Sequence, residues 1–402
     1  MSGMVIIGAG HAAGQAAASL RQEKYEGAIT IIGDENCPPY QRPPLSKAYL
    51  QGEQTLDRVL IRPQKFYDDK NITLKLGVRA TAIDKDAKQV TLDNGETIDY
   101  DNLIISTGSR PRKLNITGSE LPGIHYLRTI SDVDAIRAEM GEGKNLVIVG
   151  GGYIGLEVAS VGIRAGMNVR VLEMESRILQ RVTTPEMSAY YHQLHKGRGV
   201  NIHTETGVTG FRGDTHVEKV VCGEEIEFDA DLVIVGIGII ANIELAKEAG
   251  LVCENGIVVD EHCRTSDPNI YAAGDCTNHP NPLLNRRLRL ESVPNAMEQA
   301  RVCASNMLGG DKTYAAMPWF WSDQYELKLQ MVGFSADGSE QILRGNMADD
   351  KFAVFYLNDG AVVAADAVNS PKEFMVCKQL IGKQVDTDIL ADPDSDLKQL
   401  LS

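Results

Sequence analysis

The chain has 402 residues, which sets a prior of two or three domains and is ample to bury a core. Apolar residues make up 43% and charged residues 24%, ordinary for a globular protein and wrong for a disordered one. With 40 Lys+Arg against 55 Asp+Glu the net charge is −15, which argues against nucleic acid or an anionic membrane as partner unless the cations cluster. The N-terminus enters a strand at Met4–Ile7 without a charged leader, and no apolar run is long enough to span a bilayer, so neither a signal peptide nor a membrane helix is expected. Seven widely spread cysteines, with no CxxC or CxxxxC pair, argue against a disulfide framework, a zinc site or a dithiol enzyme, and suit a reducing cytoplasm. No His, Cys or carboxylate spacing suggests a metal.

The apolar runs Val5–Ile7, Leu103–Ile105, Leu146–Val149, Leu232–Val235 and Ile270–Tyr271 read as strands buried on both faces, each followed by glycine. Small-residue helices are predicted over Ala12–Leu20 and Ile154–Ala165, which makes a βαβ alternation given twice, in Met4–Asp34 and Asn145–Glu173. Short alternating strands (Thr73–Leu76, Gln89–Leu92, Glu96–Asp99, with a turn at Asp93-Asn94-Gly95) lie between the copies, and a similar stretch, Gly199–Phe228, follows the second. From Pro318 antiparallel strands are predicted over Leu327–Gly333, Glu340–Arg344 and Phe352–Leu357. A turn at Asn358-Asp359-Gly360 and a helix over Ser370–Ile381 complete a small α+β domain. The acidic tail, 386–402, is expected either to fray or to lie bound on the surface.

In the first repeat, Gly8-Ala9-Gly10-His11-Ala12-Ala13-Gly14 joins strand to helix. Gly8 permits the tight turn, Gly10 the close approach of a pyrophosphate, and Ala13 the helix–strand contact, while the helix N-terminus presents free N–H groups. Asp34 and Glu35 close the next strand, where a carboxylate would bond a ribose hydroxyl. The second repeat carries Gly150-Gly151-Gly152-Tyr153-Ile154-Gly155, and Glu173 ends its second strand, 18 residues past Gly155. A carboxylate there would repel a 2′-phosphate, so NADH is favoured over NADPH. Two dinucleotide sites on one chain suggest a flavin and a nicotinamide exchanging hydride.

That order resembles the two-dinucleotide flavoprotein disulfide reductase superfamily. Leu103–Pro111, with Thr107, Gly108 and Arg110, is similar to its ATGxxPR crossover. Ile270–Asp275 is similar to its hYAxGD segment, in which the resemblance makes Asp275 a ligand of the FAD ribityl chain. A narrower resemblance follows. Pro39–Lys47 (PYQRPPLSK), Gly150–Glu157 (GGGYIGLE) and Pro318–Tyr325 (PWFWSDQY) resemble the NADH-dependent ferredoxin reductases of bacterial oxygenase systems, the putidaredoxin reductase type. It implies an α/β fold of two Rossmann-like domains and a C-terminal α+β domain. The FAD-binding domain is expected over 1–112 and 240–317, the NADH-binding domain over 113–239 and the C-terminal domain over 318–402.

By the same resemblance Gly8, Gly10, His11, Ala12, Ala13, Asp34, Glu35, Arg42, Lys47, Thr107, Gly108, Arg110, Asp275, Val293 and Trp321 contact FAD. Gly150, Gly152, Tyr153, Ile154, Gly155, Glu157 and Glu173 serve NADH. Lys47 is expected to pair with Glu157 beside the flavin, Glu157 to accept from the nicotinamide carboxamide, and Trp321 to border both rings, a catalytic set of three. Val293 acts through its backbone at a helix N-terminus. The implied acceptor is a small acidic 2Fe–2S ferredoxin, with the protein a monomer or weak dimer. Residues 285–301 hold four Arg against two Glu, so Arg286, Arg287 and Arg289 are the candidate docking cations, with Lys328, Arg344 and Arg62 as possible extensions. Alternatives stay open: a coenzyme A disulfide reductase or NADH oxidase using Cys37, a rubredoxin reductase, or an apoptosis-inducing-factor-like redox protein.

Overall fold

A computed structural model describes residues 3–401 and divides them into two compact units. The first takes residues up to 41, 55–110 and 239–318; the second takes 42–54, 111–238 and residues from 319 on. Two differences from the expected partition stand out: the C-terminal segment expected as its own domain over 318–402 is grouped with the second dinucleotide segment, and 42–54, read with the FAD-binding segment, is grouped with the second unit. Side chains explain the latter, because Lys47 reaches Glu157 and Tyr49 reaches Asp134 within that unit.

The first unit is built on a five-stranded parallel sheet, in the order Ile270–Ala272, Asn102–Ile105, Met4–Ile7, Ile29–Gly33, Ile72–Leu76. Met4–Ile7 pairs with Ile29–Gly33 along one edge and Asn102–Ile105 along the other, and its alternate residues enter two separate cores, Met4 and Ile6 in one and Val5 and Ile7 in the other, so the run is covered on both faces. The helix His11–Gln22 packs its alanines on this sheet, with Ala13, Ala16 and Ala17 fully buried. Small side chains let helix Val293–Met307 lie close to it, and Ala300 and Ala304 share its core. Thr73–Leu76 departs from expectation: it extends this parallel sheet as an edge strand beside Ile29–Gly33. The separate antiparallel meander is Ala80–Asp84, Gln89–Leu92 and Thr97–Asp99, turning at Gly95 with φ +82°.

The second unit repeats the plan. Its parallel sheet runs Asn201–His203, Asn168–Leu172, Asn145–Val149, Leu232–Val235, Ile124–His125, and its own meander covers 208–229. Helix Tyr153–Arg164 is buried all round from Gly155 through Gly162. The C-terminal part is a five-stranded antiparallel sheet ordered Trp319–Gln324, Leu327–Gly333, Ala361–Val368, Lys351–Asn358, Glu340–Asn346. Asp359 and Gly360, at φ +49° and +77°, close one hairpin as the sequence suggests. Leu156, Met187 and Tyr191 share one core with Leu329, Phe352 and Val354, so this sheet and the second dinucleotide fold are packed as one body.

Of the two expectations for the tail, fraying and attachment to the surface, the described residues show attachment. Leu390 and Leu397 are buried, and helix Thr387–Ala391 is capped by Asp386. Arg344, expected as a possible docking cation, is only 5% exposed and donates to the carbonyls of Ile389, Leu390, Asp392, Pro393 and Ser395. Its position on the inner face of a strand commits its charge to the tail.

Candidate functional site

The two glycine turns have the same construction. Gly8 has φ +106°, and a Cβ there would meet the Ser106 carbonyl at 2.2 Å; Gly150 has φ +109° and would meet the Gly236 carbonyl at 2.4 Å. Gly10 and Gly152, by contrast, face open space: a Cβ on either would find no atom within 4 Å. Each is the N-cap of its helix, neither offers a side-chain cap, and neither helix has an acid in its first turn. Both helices therefore present N-terminal N–H groups and a positive dipole end beside bare backbone. That arrangement fits the pyrophosphate of a dinucleotide in each unit.

In the first unit the other predicted residues fall around this cradle to different degrees. Gly274, at φ +91°, would place a Cβ 3.7 Å from both Ala12 and Ala296, so the Gly-Asp segment sits against the starts of two helices. Its neighbour Asp275 accepts from Ser109 Oγ at 2.7 Å. Val293 is the first residue of its helix, capped by Ser292. Thr107 donates to the Asn242 carbonyl at 2.6 Å, and Gly108, at φ +62°, accepts there from the Asn242 N–H. Glu35 accepts from Tyr40 Oη at 2.5 Å, whereas Asp34 is exposed on Arg79 at 3.1 Å. Arg110 turns to Asn242 and Glu244.

Two of the three candidate docking cations, Arg287 and Arg289, are engaged within this unit. Arg287 donates to the carbonyls of Val259 and Asn278, and Arg289 pairs with Glu291 at 2.7 Å. Among the suggested extensions, Arg62 lies over the Phe66 ring at 4.6 Å. In the second unit Lys328 is 4.0 Å from Asp323.

The second unit holds the densest polar constellation. Glu157, 3% exposed, lies at the start of the second turn of helix Tyr153–Arg164. Its Oε2 accepts from Lys47 Nζ at 2.7 Å and from Ser46 Oγ at 2.5 Å, and its Oε1 accepts from Ser322 Oγ at 2.6 Å. Three donors from two separate chain segments therefore hold one buried carboxylate, which compensates its lost hydration. Lys47 and Glu157 were legible; Ser46 and Ser322 were not singled out, although both stand inside the quoted PPLSK and WFWSDQY strings.

Glu173 is folded back on the glycine turn, its Oε2 accepting from the Gly151 N–H at 2.7 Å and its Oε1 from the Glu175 N–H at 2.9 Å. Tyr153 and Ile154 present backbone to the cradle. The Tyr153 hydroxyl turns away to Met331 Sδ, while the Ile154 side chain is 48% exposed. Arg42 donates to the Arg128 carbonyl at 2.6 Å. Trp321 is half-buried in a row of rings, 5.6 Å from Trp319 and 6.3 Å from Phe320 between centroids. Burial, reinforced by the charge of Glu35, raises the Cys37 thiol above its ordinary value, the opposite of what an activated thiolate needs.

Comparison with known proteins agrees with this construction. Residues 2–300 match the family described as pyridine nucleotide-disulphide oxidoreductase, and residues 319–401 match the reductase C-terminal family. The chain is 44% identical to putidaredoxin reductase CamA of Pseudomonas putida, over 99% of this chain and 96% of that protein. It is 42% identical to the ferredoxin–NAD(+) reductase component of the anthranilate 1,2-dioxygenase system of Burkholderia cepacia, over 99% and 98%. Among solved structures, the covalent putidaredoxin reductase–putidaredoxin complex matches with a TM-score of 0.96 at 44% identity, over 100% of this chain and 98% of that one.

Proposed function

Since the chain belongs to the pyridine nucleotide-disulphide oxidoreductase family and carries the reductase C-terminal domain, we propose that it is an FAD-dependent NADH:ferredoxin reductase serving a bacterial oxygenase. The carrying observation is the pair of open, uncapped glycine cradles, one in each unit, joined in the second unit by a buried Lys47–Glu157 pair. FAD, when bound, accepts hydride from NADH and releases the electrons singly, which suits a one-electron 2Fe–2S acceptor.

The chain's own residues have distinct tasks in this reading. Gly8, Gly10 and the N–H groups of His11, Ala12 and Ala13 hold the FAD pyrophosphate, with Asp34 or Glu35 on its ribose and Thr107, Gly108, Arg110, Asp275 and Val293 along the rest. Gly150, Gly152, Tyr153, Ile154 and Gly155 hold the NADH pyrophosphate, and Glu173 selects a free 2′-hydroxyl. Lys47 Nζ donates to Glu157 Oε2, and Glu157 orients the carboxamide. Arg42 and Trp321 complete the flavin surroundings. We divide the chain into an FAD-binding domain (1–112 and 240–317), an NADH-binding domain (113–239) and a C-terminal domain (318–402). Arg286, Arg287 and Arg289 are the docking cations. Seven free cysteines support a cytoplasmic location.

The test is cytochrome c reduction by NADH with and without a 2Fe–2S ferredoxin. The rate should rise steeply when ferredoxin is added, and an unchanged rate refutes the assignment. Turnover in Cys37→Ser should match the parent; its loss would favour the disulfide-reductase alternative. Arg286→Glu with Arg287→Glu should raise the ferredoxin KM, most at low salt.

A further inference from the structure

We propose that Ser322 is a positioning residue for Glu157, set by a one-way chain of hydrogen-bond donors that begins at Tyr325. Every link lies in the second unit. Glu157 Oε1 can only accept, so Ser322 Oγ must donate its proton along the 2.6 Å contact. The Ser322 lone pair in turn accepts from Gln324 Nε2 at 3.1 Å. That orientation points Gln324 Oε1 at His195 Nε2, 2.8 Å away, which must carry the ring proton. His195 Nδ1 is then the acceptor for Tyr325 Oη at 3.2 Å. Four donors thus face the same way and end on one carboxylate oxygen, an arrangement in which each bond polarises the next.

Three further observations fit a chain built for orientation. Ser322, Gln324 and His195 are 0%, 1% and 0% exposed, so no water competes for these bonds. Burial holds His195 at about 4, keeping the ring neutral with a single N–H, as the direction of the chain requires. Tyr325 sits at φ +56° in the two-residue turn between Gln324 and Leu327, a backbone conformation disfavoured for an aromatic side chain. The chain also crosses domains: Glu157 and His195 come from the second dinucleotide fold, Ser322 to Tyr325 from the C-terminal sheet. The C-terminal domain thereby fixes one oxygen of Glu157 while Ser46 and Lys47 fix the other.

The consequence for NADH rests on the role assigned to Glu157 above, so the experiment separates the two. The Glu157 carboxylate stretch is located in the infrared spectrum of the holoprotein as the band lost in Glu157→Gln. Ser322→Ala and Gln324→Leu should both shift that band with the flavin absorbance retained, and an unmoved band in both variants overturns the positioning. With ferricyanide as acceptor, Ser322→Ala should raise the NADH KM by about tenfold with kcat nearly unchanged. On a Glu157→Gln background the same change should add less than about twofold, because the two residues act as one unit. A KM effect that survives undiminished on that background also overturns the proposal. A shifted band with a parental KM in Glu157→Gln sustains the positioning and refutes the carboxamide role.

Discussion

Asp366 shows what one misplaced charge does to this fold. It is buried, accepting from Tyr356 Oη at 2.8 Å and Thr183 Oγ1 at 3.0 Å, and desolvation pushes its carboxyl up to about 6. Between about 4 and 6 the folded protein keeps a proton the unfolded chain has lost, so stability is full below that window and declines as pH rises through it. At neutral pH the ionised group costs roughly 3 kcal/mol. Asp366→Asn can still accept both hydrogen bonds, and its urea midpoint at pH 7.5 should be higher than the parent's, with the slope between pH 4 and 6 reduced. A lower midpoint at pH 7.5 would refute this account. His195 works in the opposite sense: held at about 4 by burial, it makes stability rise with pH up to its ordinary range. In the proposed function Glu173 carries the cofactor preference. Its replacement by Arg should narrow the ratio of NADH to NADPH rates by about tenfold or more, since it removes a like charge from the 2′-phosphate and adds an opposite one. An unchanged ratio would take specificity away from this position.

At the scale of the element, each strand–turn–helix separates two demands that its glycines meet. Gly150 is required by the fold, because its φ is +109° and the Gly236 carbonyl fills the space of a side chain. Gly152 has φ −79° and open space, so the fold tolerates a side chain there and only a ligand would object. Gly152→Val should therefore keep the parental circular dichroism and thermal midpoint yet lose NADH binding by calorimetry, whereas Gly150→Val should lower the midpoint itself. Equal NADH affinity in Gly152→Val would remove the phosphate from this cradle. Both turns were legible because the requirement is local: a strand, a positive φ and a helix start leave few residue choices. Thr73–Leu76 was legible as an alternating strand, but which sheet it joins was not, for the converse reason. Alternation reports that one face is wet, and an edge strand of a parallel sheet shows the same pattern as a meander strand.

At the scale of the molecule, the C-terminal sheet is tied into the second unit by apolar packing and by polar grips that span long stretches of chain. Arg344 is one of these grips within that sheet, holding the tail through five carbonyls. Arg344→Met leaves those acceptors short of a partner and should cost about 3 kcal/mol, with faster proteolysis after residue 385; an unchanged cleavage rate would show that Leu390 and Leu397 suffice. The sequence alone settled whatever a few neighbouring residues must satisfy together: two dinucleotide turns, the acids that close their strands, the hairpin at Asp359-Gly360 and the absence of a cysteine pair. It also marked Lys47 and Glu157, through the strings that hold them. Only the tertiary structure decided that Ser46 and Ser322 share Glu157 with Lys47, that Arg287 and Arg289 bond within their own unit, and that the tail is clasped rather than loose. Backbone constraints act between adjacent residues and leave a pattern in the chain. A serine hydroxyl 165 positions from its carboxylate leaves none, since its partner is fixed only when strand and helix pack.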